Sequence, residues 1–258
     1  MSQTDERKPL FIGWALPPVE LRAFLVLCGT GLVALFGFIA WFVSVTTDDP
    51  GDGAFRFDWG QQTITGIYEA APYPMIHVTE AERFGPGDTL MLSGQGKRGV
   101  QGRGADLDGQ AVTVSGIVLN RGDLNMLQVG GGAAEPLTPA EGDGAIGAAP
   151  EVEPLGRWRL TGEICDGKCY AGAMRPGEGL AHRACANLCL VGGVPPVFVS
   201  TGTVEGEQFF LMADDAGRLV TDQVLAHTAT LVEIDGDVER RGGLLVFRID
   251  PASIRLVR

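Results

Sequence analysis

The sequence predicts a mainly β protein, with two tandem small barrels behind one N-terminal transmembrane helix. Three observations carry this. An uncharged run of 25 residues extends from Ala23 to Thr47. A hairpin pattern occurs twice in the remaining chain. Thirty-eight glycines and fifteen prolines among 258 residues call for many turns and short strands.

The N-terminal tail, residues 1–22, carries Arg7, Lys8 and Arg22. The run 23–47 follows, long enough as a helix to cross a hydrocarbon core of about 30 Å. Trp41 and Phe42 stand near one end, where interfacial aromatic residues belong. Asp48, Asp49 and Asp52 follow the run. The positive-inside rule then keeps the tail in the cytoplasm and exports the rest. The expected location is a bacterial inner membrane, crossed once, with the C-terminal domains in the periplasm. A cleaved signal peptide is the competing reading; the apolar run is long for one and ends without a clear small-x-small site. Cys28, inside the run, reads as a small apolar filler.

The repeat lies outside the membrane. Val114-Ser115-Gly116-Ile117-Val118, followed by Asn120-Arg121-Gly122-Asp123-Leu124, matches Ile234-Asp235-Gly236-Asp237-Val238, followed by Arg240-Arg241-Gly242-Gly243-Leu244, without a gap. Both read as strand, tight turn, strand, with glycine supplying the turn angle. Thr89-Leu90-Met91-Leu92 falls opposite Phe209-Phe210-Leu211-Met212 at the same offset. Ile64-Thr65-Gly66 resembles Leu160-Thr161-Gly162, at an offset about 24 residues shorter. The second copy therefore reads as the first plus an inserted loop.

Module 1 spans 55–129 and module 2 spans 157–258. Each reads as about five short strands with a first-strand glycine bulge and a closing hairpin, which suits a barrel of the OB type. A short helix is expected within Gly217–His227. Residues 130–153 are rich in glycine, alanine, proline and acid, and read as a flexible linker.

The insertion, 165–196, holds Cys165, Cys169, Cys185 and Cys189, with His182 beside the second pair. Leu180 to Leu190 is alanine-rich and predicts a helix stopped by Gly192-Gly193. On it His182, Cys185 and Cys189 share one stripe. Cys165 to Cys169 is expected as a turn facing that stripe. Disulfides from the turn to the helix are the default in an exported domain, with the pairing open. A Cu or Zn site of four thiolates, or of three with His182, is the alternative. A thiol-exchange pair is the third reading, with Lys168 and Arg183 available to lower a cysteine pKa. No haem-attachment, GxSxG, P-loop or HExxH motif is present.

Module 2 also resembles a known group. The stretch from Leu160-Thr161-Gly162-Glu163-Ile164-Cys165, through His182-x-x-Cys185-x-x-x-Cys189-x-x-Gly192-Gly193, to the Gly236 strand is similar to small exported bacterial OB-like β domains of no established function. Cys169 departs from that pattern, which implies histidine or no ligand there. In layout, an anchored exported OB module resembles the haem chaperone of cytochrome c maturation, and this likeness implies fold and topology only.

Net charge is −12 with a pI near 4.7, so the basic surface that drives non-specific nucleic-acid binding is missing. The sequence thus points to a non-catalytic, membrane-anchored accessory or docking protein beside a periplasmic or membrane redox or metalloenzyme. No cofactor is expected on that reading. Metal handling by the five Cys/His residues and thiol-disulfide exchange are the alternatives.

Overall fold

The computed structural model describes residues 17–46, 51–130, 137–140 and 149–257. The expected tail up to residue 16, residues 47–50, linker residues 131–136 and 141–148, and Arg258 lie outside them.

Helix α1 (Val19–Thr46) begins a few residues before the predicted run. Pro18 sets its start, and the Arg22 guanidinium donates to the carbonyl of Pro17 at 2.9 Å. Val19–Ser44 has a mean hydropathy of 2.4 and is long and apolar enough to cross a membrane. At 1.5 Å per residue it extends about 39 Å.

Module 1 is built from β1 (Ala54–Phe55), β2 (Gln62–Glu69), β3 (Met75–Ala81), β4 (Thr89–Ser93), β5 (Ala111–Arg121), β6 (Leu124–Val129) and β7 (Leu137–Pro139). β2 pairs with β3, β3 with β4, β4 with β6 in parallel, β6 with β5, and β5 back to β2. Five strands thus close into a barrel. Strand alternation fills it: Ile64, Val112, Val114, Val118 and Leu127 all join one buried cluster. Each such side chain contributes about 1.5–3 kcal/mol.

Module 2 uses β8 (Val152–Asp166), β9 (Pro196–Val204), β10 (Glu207–Asp214), β11 (Leu231–Arg241), β12 (Leu244–Ile249) and β13 (Arg255–Leu256), with helices α2 (Arg183–Val191) and α3 (Thr221–Val224). β8, β9, β10, β12 and β11 repeat the same ring of pairings, again with one parallel pair. α3 lies within the predicted Gly217–His227 helix segment. β8 starts five residues before the expected module boundary, because Val152 pairs with Arg241.

The repeat seen in the sequence is structural. β11 and β12 have the same lengths and turn as β5 and β6. Equivalent glycines lie where strands cross closely: a Cβ on Gly116 would be 2.3 Å from the Gln128 carbonyl oxygen, and one on Gly236 would be 2.5 Å from that of Arg248. Gly66 and Gly162 repeat this on the first strand of each barrel, against His77 and Val199.

The two barrels form one compact unit. Outward side chains of both, among them Tyr73, Met75, Met91, Leu124, Cys165, Tyr170, Phe209 and Leu244, share a buried cluster. Of the segment expected as a flexible linker, Leu137–Pro139 is ordered against β5. His77 is buried on β3, where Nε2 meets Glu69 at 2.7 Å and Nδ1 meets the Thr89 hydroxyl at 2.9 Å. Arg241 of module 2 pairs with both Glu69 and Glu239, so this charged group ties the modules together.

Candidate metal centre

The insertion occupies the loop between the first two strands of barrel 2. The last residue of β8, Asp166, turns the chain inward. Cys169–Ala173 form one wide helical turn, with the Cys169 amide donating to Asp166 Oδ1 at 2.8 Å. α2 follows, built from alanine and leucine as expected but starting three residues later than predicted. Gly193, at φ +93°, ends it, and the amides of Gly192 and Val194 close on the carbonyls of Leu188 and Cys189.

Cys169, Cys185 and Cys189 bring their sulfurs within 4.8 Å of one another. Cys169 and Cys189 are buried; Cys185 is half-buried. The sulfurs of Cys169 and Cys189 are 3.9 Å apart. Either thiol of this pair can be the donor to the other. The hydrogen bond to Cys189 and burial both push the Cys169 thiol up, while the bond from Cys169 holds Cys189 below its ordinary value.

A second group adjoins the first at Cys169. His182 and Asp166 are buried, with Nε2 to Oδ2 at 3.0 Å, and both have ligating atoms within 4.8 Å of the Cys169 sulfur. His182 therefore faces Asp166 and Cys169. The common stripe on α2 gathers Cys185 and Cys189 with Cys169 and leaves His182 in the neighbouring group.

Module 1 supplies the outer wall. Lys97 Nζ donates to Cys185 Sγ and lies 3.9 Å from Cys189 Sγ. The bond to Cys185 raises the Lys97 pKa. Lys168, which the sequence suggested as a cation for the thiols, points instead to the carbonyls of Gly94 and Gly96 at 2.6 and 2.8 Å. Burial lowers its pKa. Arg183 donates to the Ala226 carbonyl at 2.6 Å. The Gly99 amide donates to Gly192 at 2.8 Å, and Gln101 donates to the carbonyl of Gly193. Loop 94–101 is thereby seated on the end of α2. Lys97 and Asp166 are the two site residues that sequence reasoning missed. Lys97 stands 88 residues from Cys185, in a loop whose one visible signal is a pair of cations among glycines.

Cys165 does not join the cluster. The strand continues to Asp166, which pairs with Pro196, so Cys165 lies on strand rather than in a turn. Side chains alternate across a strand, and Cys165 faces the inter-module core while Ile164 faces the barrel. Burial and the Glu163 carboxylate push its thiol up. The expected pair of turn-to-helix disulfides is likewise absent among the described residues, where all five cysteines are free. The 3.9 Å Cys169–Cys189 separation is far beyond an S–S bond of about 2.05 Å.

Comparison with protein families, curated proteins and solved structures finds no match for this chain.

Proposed function

We propose that this is a membrane-tethered, exported protein that carries one soft metal ion on Cys169, Cys185 and Cys189. The observation that carries the reading is the three-sulfur cluster. Two thiolates on one tetrahedral metal with bonds of about 2.3 Å lie about 3.8 Å apart; Cys169 and Cys189 are 3.9 Å apart. The donor set favours Cu(I) over Zn(II). Structural zinc is almost always four-coordinate and the cluster offers three sulfurs, while soft thiolate donors suit Cu(I). His182 is engaged with Asp166 and shares only Cys169 with the cluster. The tether concentrates such a carrier beside membrane partners, and an accessory role next to a redox or metalloenzyme follows.

Full-length protein in detergent, prepared anaerobically and titrated with Cu(I), tests this. One copper per chain is expected, with three sulfur neighbours by X-ray absorption. Copper that a competing soft chelator removes as readily from wild type as from Cys189→Ser refutes it. Thiol exchange is the second reading, favoured by the depressed pKa of Cys189 beside Cys169. It predicts that mild oxidation joins Cys169 to Cys189, with loss of two protons by intact mass.

A further inference from the structure

The outer face of α2 is apolar. Leu188 and Val191 are 61% and 67% exposed, and with Ala184, spaced four and three residues apart, they share one face of α2; Leu180, 70% exposed, stands in the turn just before it. Half-buried Cys185 adjoins it.

The charge around this stripe is reversed relative to the whole chain. Net charge is −12. Yet the stretch between Glu178 and Glu205, which contains α2, has no acid and carries Arg183. The stretch between Asp88 and Asp106, which supplies loop 94–101, has none either and carries Lys97, Arg98 and Arg103, all exposed. The two stretches meet at Gly192, where a Cβ would be 1.8 Å from the Lys97 carbonyl oxygen. α3, which touches α2, adds one exposed acid, Asp222, and half-buried Glu178 lies two residues before Leu180. Aliphatic side chains thus stand proud of the surface beside Lys97, Arg98 and Arg183.

We infer that this face of the insertion rests on a bilayer surface rich in anionic phospholipid, with Leu180, Leu188 and Val191 at the acyl boundary and Lys97, Arg98 and Arg183 among the headgroups. An apolar stripe bordered by Lys and Arg is the signature of an interfacial helix. The cations draw it to negative lipid, and their aliphatic stems extend the apolar contact. A helix long and apolar enough to cross a membrane lies in the same chain, so a bilayer is the one large surface the sequence itself supplies. The inference concerns the outside of α2 and does not depend on the metal reading.

The test uses full-length protein in nanodiscs of phosphatidylcholine alone or mixed with phosphatidylglycerol. Each disc carries a trace of diazirine-bearing lipid of its own class. Photolabelled peptides are mapped by mass spectrometry. Labelling of 180–191 is expected in the phosphatidylglycerol discs and is weaker in neutral ones, while labelling of α1 is the same in both. Each basic residue near an anionic surface contributes about 1 kcal/mol, so Arg98→Gln lowers the 180–191 signal relative to α1 about fivefold. Leu188→Asn lowers it further. Both side chains are exposed, and circular dichroism checks that the fold stands. Labelling confined to α1 in every disc overturns the proposal. So does labelling of 180–191 that is unchanged by lipid charge and by Arg98→Gln. If 180–191 stays unlabelled in discs but photocrosslinks to polypeptide in native membranes, the face docks a protein and the lipid assignment falls.

Discussion

Gly192→Ala tests whether module 1 truly forms a wall of the thiol cluster. Gly192 has φ −73° and ψ −3°, ordinary helical backbone. Alanine at such a position normally stabilises a protein, by about 0.4–1 kcal/mol. Here the added Cβ would be 1.8 Å from the Lys97 carbonyl oxygen and 3.2 Å from that of Leu188. The helix cannot yield at Leu188, so loop 94–101 must move. Its attachments are the Gly99 amide to Gly192 at 2.8 Å, Lys168 to Gly94 and Gly96, Gln101 to Gly193 and Lys97 to Cys185. A neutral hydrogen bond is worth about 1 kcal/mol and a charged one about 1.5–3. Losing half of them costs about 3–5 kcal/mol, which reverses the sign expected from backbone conformation. Two measurements read it: thermal unfolding of the full chain in detergent, and the rate at which a water-soluble maleimide labels Cys185. A lower midpoint with faster labelling is expected. A midpoint equal to or above wild type, with unchanged labelling, refutes the close approach.

Other expectations follow from the same geometry. Cys169→Ser and Cys189→Ser each abolish stoichiometric copper, whereas Cys165→Ala retains it, as elemental analysis of anaerobic preparations will read. Glu69→Gln weakens the inter-module charge group. Burial raises the Glu69 pKa, but His77 and Arg241 together hold it below its ordinary 4.5. A carboxylate with a depressed folded pKa stabilises above its unfolded value and loses that effect as pH falls through the folded one. The gap between wild type and Glu69→Gln is therefore full above pH 4.5, about 1–3 kcal/mol, and closes below it in denaturation midpoints taken across pH. Tyr73→Phe removes a buried hydroxyl that meets Thr221 Oγ1 at 2.7 Å and accepts from the Val220 amide at 3.3 Å. It lowers stability by about 1–2 kcal/mol and leaves copper binding intact.

The barrels were legible because local pattern encodes them. Alternation in β5 and β11, a Gly turn after each, and glycines at matching crossings all lie within short windows of sequence. The insertion was legible as a length difference between copies. What escaped was long-range. Cys165 looked like one end of a Cys-x3-Cys turn, yet ladder pairing of Asp166 with Pro196 carries the strand past it and turns its side chain away. Only the partner strand decides that. The polar group around His77 escaped too, because Glu69, Thr89 and Arg241 come from three different elements and both modules. Lys97 belongs to no periodic segment, and its role exists only once the two barrels face each other.

The way they face each other bears on the site. In barrel 1 the loop between its third and fourth strands, starting at Gly94, packs on the first loop of barrel 2, the insertion. In barrel 2 the equivalent loop, bearing Val220 and Thr221, packs on the first loop of barrel 1 through Tyr73. The exchange is reciprocal, as a duplicated module pairing with its own copy would produce. One of the two equivalent junctions then carries the added cysteines. It follows that the cluster is not portable with module 2 alone. A fragment covering 149–258 exposes Tyr170, Phe209, Leu211, Leu244 and Val246, all now in the shared core. Each costs about 1.5–3 kcal/mol to leave in water. It also lacks Lys97 and the two carbonyls that hold Lys168. Expressed by itself, that fragment is expected to self-associate in analytical ultracentrifugation and to hold copper more weakly than the full chain. A monomeric fragment with full copper affinity would show that module 1 is dispensable, and the wall assigned to Lys97 would have no function.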